Sequence, residues 1–300
     1  MNFERGNMLI ISCSHGRHLG HLIAKKLNKK HSVLLVDKFP DDELRIRFNS
    51  NLKNKTIVLI QSFYKNISDC IIEVIFAAKT ANELGAKKVI LVAPYFPYLR
   101  QDKRFHRGEA VSQKLIAGLM DKYLDAIYLM DPHLHRKNKL ENIFKTKAKK
   151  LTANALIADY IKKHINNPIV IGPDEESYKW AQNVAEMINA ESLILNKKRY
   201  SSYHVKVKLN KKIDLRTKNA VIVDDIVSTG HTILETAKIL KKLGAKKIYC
   251  ICVHGIFTDD ALNKLKKQKI KIISTNTIPN KAAKIDVSGV IGESLIKVHT

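Results

Sequence analysis

KNAVIVDDIVSTGHTILETAKILKKLGAKK, Lys218–Lys247, contains a complete structural statement. An apolar run, Ala220–Val223, ends in the acidic pair Asp224-Asp225. A Ser-Thr-Gly-His-Thr loop follows, and from Thr232 the apolar residues recur at three- and four-residue spacing. Short apolar runs bounded by turn residues predict buried strands, and the three-to-four spacing predicts an amphipathic helix. Gly244 supplies the stop signal, and a second apolar run begins at Ile248. Strand, polar loop, helix and strand make one βαβ unit.

The same statement occurs earlier. KTIVLIQSFYKNISDCIIEVIFAAKTANELGAKK, Lys55–Lys88, has the same order of runs and ends in the same LGAKK. LGAKKVILVAPY starts at Leu84 and LGAKKIYCICVH at Leu243, so the copies stand half a chain apart. The segments that precede them also correspond: MLIISCSHGRHLGHLIAKKLNKKHSVLLVDKFPDDE from Met8, and PIVIGPDEESYKWAQNVAEMINAESLILNKKR from Pro168. Self-similarity of this kind predicts duplicated α/β domains, each with a mainly parallel sheet flanked by helices. The first domain is expected over residues 1–146 and the second over 147–285. The basic segment Lys145–Lys150 is read as their connection, and residues 286–300 are expected to pack back on the first domain.

The 300 residues, 45% of them hydrophobic, suit about two domains. No apolar run reaches the ~18 residues of a membrane span, and Met8–Ile11 reads as a first strand rather than a signal peptide. Four scattered cysteines do not make a disulfide framework. Cys250 and Cys252 alternate within a strand and are expected to be buried small apolar residues in a cytoplasmic protein. The formal charge of +25 admits nucleic acid, anionic membranes or anionic small substrates. The lysines are spread along the chain without an Arg-rich arm or a basic-aromatic box, so neither nucleic acid nor membrane is expected as a partner.

The two copies differ after the apolar strand. The second has DDIVSTGHT, where the first has QSFYKNIS. Backbone N–H groups at a helix start, with the helix dipole, form an anion site. Gly230 permits close approach, and Ser228, Thr229 and Thr232 add hydroxyl donors. Asp224 and Asp225 can accept bonds from adjacent ribose hydroxyls. The chemistry suits a sugar phosphate, with one such site per chain. The plain alternative is a Ser or Thr helix cap after an acidic turn. The segment resembles the phosphoribosyl-pyrophosphate loop of the phosphoribosyltransferase fold.

Further segments resemble the ribose-phosphate pyrophosphokinase family over nearly the whole chain. FPDDE, Phe39–Glu43, is similar to the family's adenine loop. This implies that Phe39 stacks on the purine while Asp41, Asp42 and Glu43 line the nucleotide site. PYFPYLRQDKRFHRGEA, Pro94–Ala110, is similar to its ATP loop, which implies nucleotide contacts from Arg100, Gln101 and Asp102; Leu99 stands where Ala is common. DPH, Asp131–His133, implies a Mg²⁺ ligand at His133, with Asp131 a further candidate. IGPDEES, Ile171–Ser177, implies another at Asp174. Lys197 and Arg199 match the family's catalytic pair, and Arg199 and His231 also fall within the ribose 5-phosphate site. In isolation FPDDE is an acidic turn, His133 a structural histidine and Lys197-Lys198-Arg199 a solvated basic turn. RFHRGEA, and Glu175-Glu176-Ser177 in place of His-Gly-Gly, point to an archaeal-like branch. The resemblance implies a Mg²⁺-dependent enzyme for nucleotide biosynthesis. It would convert ATP and ribose 5-phosphate to phosphoribosyl pyrophosphate and AMP. It would work as a homodimer or higher homo-oligomer, in which Phe39–Glu43 serves the neighbouring chain. A phosphoribosyltransferase and a non-catalytic synthetase-associated subunit are the rivals.

Overall fold

Unit 1 is built on a six-stranded, wholly parallel sheet. Its elements are β1 (Met8–Ser12), α1 (Arg17–Leu27), β2 (Lys30–Val33), β3 (Leu35–Lys38), β4 (Leu44–Arg47), β5 (Thr56–Ile60), α2 (Ile67–Glu83), β6 (Lys88–Ala93), α3 (Ser112–Asp121), β7 (Ala126–Met130) and β8 (Lys147–Leu151). The sheet order is β2-β1-β5-β6-β7-β8, and β3 and β4 form a separate antiparallel hairpin. The structure, a computed structural model, describes residues 7–134, 139–195, 197–199, 205–207 and 214–297, with backbone alone at 175–176, 197–199, 205–207 and 297. Leu9, Ile11, Leu59, Leu91 and Leu129 occupy one face of the sheet and pack with Val74, Ala77, Ala78 and Ala81 of α2. The alternate residues, such as Ile10 and Val58, are also buried. Burial on both faces is why these strands read as continuous apolar runs rather than as alternation.

Unit 2 repeats the plan. Its elements are α4 (Asn154–His164), β9 (Pro168–Gly172), α5 (Glu175–Met187), β10 (Glu191–Ile194), β11 (Lys197–Arg199), β12 (Val205–Val207), β13 (Asn219–Val227), α6 (His231–Lys242), β14 (Lys247–Gly255), α7 (Ala261–Lys267), β15 (Ile270–Thr275) and β16 (Ala283–Ile285). Its parallel sheet runs β10-β9-β13-β14-β15-β16, the same order with the second unit's strands substituted. Cys250 and Cys252 lie in its core with Ile171, Ile222 and Leu240. All four cysteines are free and buried. No described helix is long and apolar enough to cross a membrane.

The compact units are Met1–Thr152 with Val287–Thr300, and Ala153–Asp286. The last helix, α8 (Ser288–Lys297), packs against α1 and so belongs to unit 1. One expectation is corrected here. The segment Lys145–Lys150, read as the connection, is mostly strand: β8 pairs with β7 from Ala126↔Lys147 to Met130↔Leu151. Its lysines disguised it, but an edge strand exposes one side of its ladder and charges there discourage pairing with another chain. Leu151 is buried and Ala148 packs on the unit 1 core, which is enough to seat the strand.

Candidate functional site at the ends of the unit 2 strands

In open α/β sheets the ligand crevice lies beyond the carboxyl ends of the strands, where the strand order reverses. In unit 2 that place falls between β9 and β13, which pair in parallel up to Ile222↔Ile171. Asp174 follows β9, and Asp224 and Asp225 lie on β13 just past the paired stretch. Asp174 is the N-cap of α5 and accepts a bond from Ser177 N at 2.8 Å. Asp224 is buried, and its Oδ1 accepts Asp225 N at 3.0 Å and Ser177 Oγ at 3.1 Å. Burial first, then repulsion from Asp225 and Asp174, pushes the Asp224 carboxyl well above the usual carboxylate range. The crevice thus concentrates acceptors and negative charge beside a helix start.

That helix start is α6. Its N-cap is Gly230, in the left-handed region at φ 75°, and no side chain caps the helix. The plain Ser/Thr-cap reading therefore does not hold. Ser228 Oγ instead lies 3.0 Å from Thr258 Oγ1, and Thr229 and His231 are exposed. Thr232 sits half-buried in the first turn, which carries no acidic residue. Uncapped amides, a glycine bend and nearby hydroxyls are the components from which helix starts build anion sites.

Unit 1 has the same crevice with different chemistry. The registers Met8↔Thr56↔Lys88 and Pro168↔Asn219↔Lys247 align the two sheets residue by residue. Counting onward, Ser14 stands in the place of Asp174, Gln61 in that of Asp224, and Ser62 in that of Asp225. All three carboxylates have neutral counterparts. Their neighbour is Glu73 of α2, buried, which accepts Ser14 N at 2.8 Å, Ser14 Oγ at 2.6 Å and Gln61 Nε2 at 3.0 Å. Gln61 Oε1 in turn accepts His15 N at 2.9 Å. Burial raises the Glu73 carboxyl, and the bonds from Ser14, Gln61 and Cys13 oppose that rise. The first copy has turned its crevice into a polar plug.

The plug makes a stability prediction. Glu73→Leu leaves Ser14 N–H and Ser14 Oγ without their acceptor and the Gln61 amide with Ser14 Oγ alone at 3.2 Å, at about 1–3 kcal/mol for each group stranded. The expected loss is about 3 kcal/mol, read as a lower denaturant midpoint at unchanged slope. A loss below about 1 kcal/mol would mean that water takes over the acceptor's place.

The nucleotide-type residues lie in unit 1. Phe39–Glu43 is the tip of the β3–β4 hairpin, closed by Phe39 N to Glu43 O and Asp42 N to Phe39 O, both 2.9 Å. Phe39 is 45% exposed, and Arg45 covers one side with its guanidinium 5.2 Å from the ring centre. Asp42, at φ 73°, pairs with Lys38 Nζ at 2.8 Å, while Asp41 and Glu43 are exposed. In the ATP-type loop, Leu99 is buried as an anchor and Arg100 is exposed. Gln101 and Asp102 are half-buried, and Gln101 Oε1 accepts Ser112 Oγ of α3. After β7, Asp131 is buried at a positive φ of 32° and His133 is half-buried. Lys197 and Arg199 are described as the backbone of β11, paired antiparallel with β12 through Lys197↔Val207 and Arg199↔Val205. The KKR run is thus strand rather than turn, and the roles expected of its side chains lie outside the described residues.

Residues 8–123 match the profile of the N-terminal domain of ribose phosphate pyrophosphokinase, and residues 139–288 match that of the phosphoribosyl transferase domain. A ribose-phosphate pyrophosphokinase of Pyrococcus abyssi is 33% identical over 283 residues, spanning 93% of this chain and 95% of that protein. One of Methanothermobacter thermautotrophicus is 33% identical over 286 residues, spanning 95% and 99%. The chain belongs to the ribose-phosphate pyrophosphokinase family. In fold it is also similar to the crystal structure of phosphoribosylpyrophosphate synthetase from Mycobacterium smegmatis. That likeness has a TM-score of 0.84 at 22% identity and covers 97% of this chain and 98% of that one.

Membership in the ribose-phosphate pyrophosphokinase family makes the fit of Mg²⁺ worth testing on the residues present. Among the described residues no group of three or more His, Cys, Asp or Glu side chains forms an all-protein metal cage. Mg²⁺ does not require one: it keeps several waters and takes one or two carboxylates together with substrate phosphates. Asp174 in unit 2 offers one such carboxylate and Asp131 in unit 1 another, so each unit by itself carries a residue of the kind this mode of binding uses. Two structural features of the crevices are not visible in the sequence: Ser177 as the link between Asp174 and Asp224, and the Ser14–Gln61–Glu73 plug. Both consist of contacts between residues far apart in the chain or unremarkable in type.

Proposed function

We propose that this chain transfers the terminal diphosphate of ATP to the anomeric hydroxyl of ribose 5-phosphate, giving phosphoribosyl pyrophosphate and AMP for nucleotide biosynthesis. The observation that carries this reading is the asymmetry of the duplication. Unit 2 keeps an acidic crevice beside an uncapped helix start, while unit 1 has plugged its own crevice and carries the exposed aromatic and basic loops suited to a nucleotide. The names of the archaeal relatives support it.

In this reading the α6 amides with Ser228, Thr229, Gly230, His231 and Thr232 hold the 5-phosphate. Asp224 and Asp225 accept bonds from the ribose hydroxyls. Phe39 stacks on the purine, Asp41, Asp42 and Glu43 line its polar edge, and Arg100, Gln101 and Asp102 position the nucleotide. His133 and Asp174, with Asp131 a further candidate, would hold Mg²⁺, which when bound neutralises and polarises the phosphate oxygens. Lys197 and Arg199 face the charge shared between attacking and leaving oxygens; such transfer asks a protein mainly for positioning and charge stabilisation. The enzyme is assigned to the cytoplasm, where unpaired cysteines stay reduced, and to a homodimer or higher homo-oligomer.

The test is a product analysis with purified full-length protein, ATP, ribose 5-phosphate and Mg²⁺. Equal amounts of AMP and phosphoribosyl pyrophosphate are expected. ADP as the product, or no AMP at all, would overturn the assignment; base-dependent release of pyrophosphate would place the chain with the phosphoribosyltransferases.

A further inference from the structure

We propose that Ser177 is a positioning residue of the sugar-phosphate site, orienting the Asp224 carboxylate from across the β9–β13 crevice; the inference rests on the function proposed above. Ser177 lies in the first turn of α5, three residues after Asp174. Its N–H donates to Asp174 Oδ1 at 2.8 Å. Its Oγ lies 2.9 Å from that same oxygen and 3.1 Å from Asp224 Oδ1. A hydroxyl has one proton and cannot donate to both carboxylates at once. The backbone N–H already serves the helix cap, so the hydroxyl proton is available to Asp224.

The consequence for Asp224 is directional. Asp225 N–H and the Ser177 hydroxyl both reach Oδ1, at 3.0 and 3.1 Å. Two bonds on one oxygen fix the plane of the carboxyl group, and the neighbouring Asp225 side chain also hydrogen-bonds with it. A fixed plane is what a site needs if a carboxyl oxygen is to meet a ribose hydroxyl in a set direction. The serine is itself held in place. A Cβ on Gly172, at the end of β9, would come within 3.0 Å of Tyr178 Cα, so the first turn of α5 is pressed against the strand end. The hydroxyl therefore approaches Asp224 from a seat that packing fixes. The cap of α5 does not depend on this hydroxyl alone, because the backbone N–H of Ser177 donates to the same Asp174 oxygen whatever side chain stands at 177.

The experiment compares wild type, Ser177→Ala and Ser177→Thr as full-length proteins. It reads kcat, KM for ribose 5-phosphate, KM for ATP, ribose 5-phosphate binding by calorimetry, and thermal unfolding. Ser177→Ala is expected to weaken ribose 5-phosphate binding and raise its KM about tenfold, the scale of one hydrogen bond to a charged group. KM for ATP and the unfolding midpoint stay near wild type, and Ser177→Thr, which keeps the hydroxyl, restores most of the loss. Unchanged ribose 5-phosphate binding in Ser177→Ala overturns the inference while leaving the functional reading intact. So does a parallel loss for both substrates with a lower midpoint, the mark of a merely structural residue, or a threonine variant no better than alanine. A wild-type protein that makes no AMP and binds no ribose 5-phosphate sinks both.

Discussion

Lys197→Ala and Arg199→Ala are each expected to lower turnover by about 10²–10³, with ribose 5-phosphate affinity changed only a few-fold. Removing one preorganised donor from a developing charge costs about 2.7–4 kcal/mol of transition-state stabilisation, and each 1.36 kcal/mol is about tenfold in rate. The two residues sit on β11, which among the described residues pairs with β12 alone, in a two-stranded ribbon separate from the six-stranded sheet. A small ribbon of this kind is marginal by itself, so losing a cation there should leave the unit 2 core and its midpoint unaffected. Arg199→Lys should recover only part of the rate, because a point ammonium does not replace a planar fork of donors. The decisive readings are single-turnover rates at saturating substrates and ribose 5-phosphate binding by calorimetry. If both alanine variants turn over near normally, the run is an ordinary basic strand.

The duplicated sheets were legible because parallel strands covered on both faces must be apolar throughout, and such runs, as in Ile57–Ile60 and Ala220–Val223, survive a change of individual residues. The helices between them were legible from period and from Gly85 and Gly244, both at positive φ after α2 and α6. The loop proposed for the sugar phosphate could be picked out for a different reason: its chemistry is local, with Asp224, Asp225, Gly230 and the hydroxyls all within one loop.

Other features were hidden because they depend on tertiary placement. Ala148 and Leu151 are the apolar residues that help seat β8, and its lysines mimic a solvated connection. The unit 1 plug joins Ser14 to Glu73 across 59 residues, and a glutamate within an amphipathic helix carries no sign that it turns inward. Gln61 and Ser62 could be seen to lack the acidic pair, but what replaced it could not. The Ser177 bridge spans 47 residues to Asp224. A serine three residues into a helix after an aspartate reads as part of a cap, and only the neighbouring strand reveals its second partner.

Gly230→Val and Asp224→Asn are expected to lose ribose 5-phosphate binding together while moving stability in opposite directions. Gly230 sits at φ 75°, where an L side chain costs about 1–2 kcal/mol and a β-branched one more. The added Cβ would meet Leu265 Cδ1 at 3.2 Å and Cγ at 3.4 Å, and crowding in a packed region adds about 1–3 kcal/mol. Gly230→Val should therefore lose about 2–5 kcal/mol, and by shifting the start of α6 it should remove the proposed anion site. Asp224 presents the contrary case. Its carboxyl is raised by burial and by repulsion from Asp225 and Asp174, so the folded state holds the proton more tightly than the unfolded chain does. Above the unfolded value, ionisation of this residue works against folding, and stability falls as pH rises toward the folded value. Asparagine keeps the shape and removes that cost, so the variant should be as stable as wild type or more so at neutral pH. It nevertheless replaces one of the two carboxyl oxygens that can meet a ribose hydroxyl. Calorimetry with ribose 5-phosphate and with ATP separates the effects: sugar-phosphate binding should fall by more than about tenfold in both variants, with ATP binding within a few-fold of wild type. Equal loss of both ligands, with circular dichroism unchanged, would show that this loop is not the sugar-phosphate site.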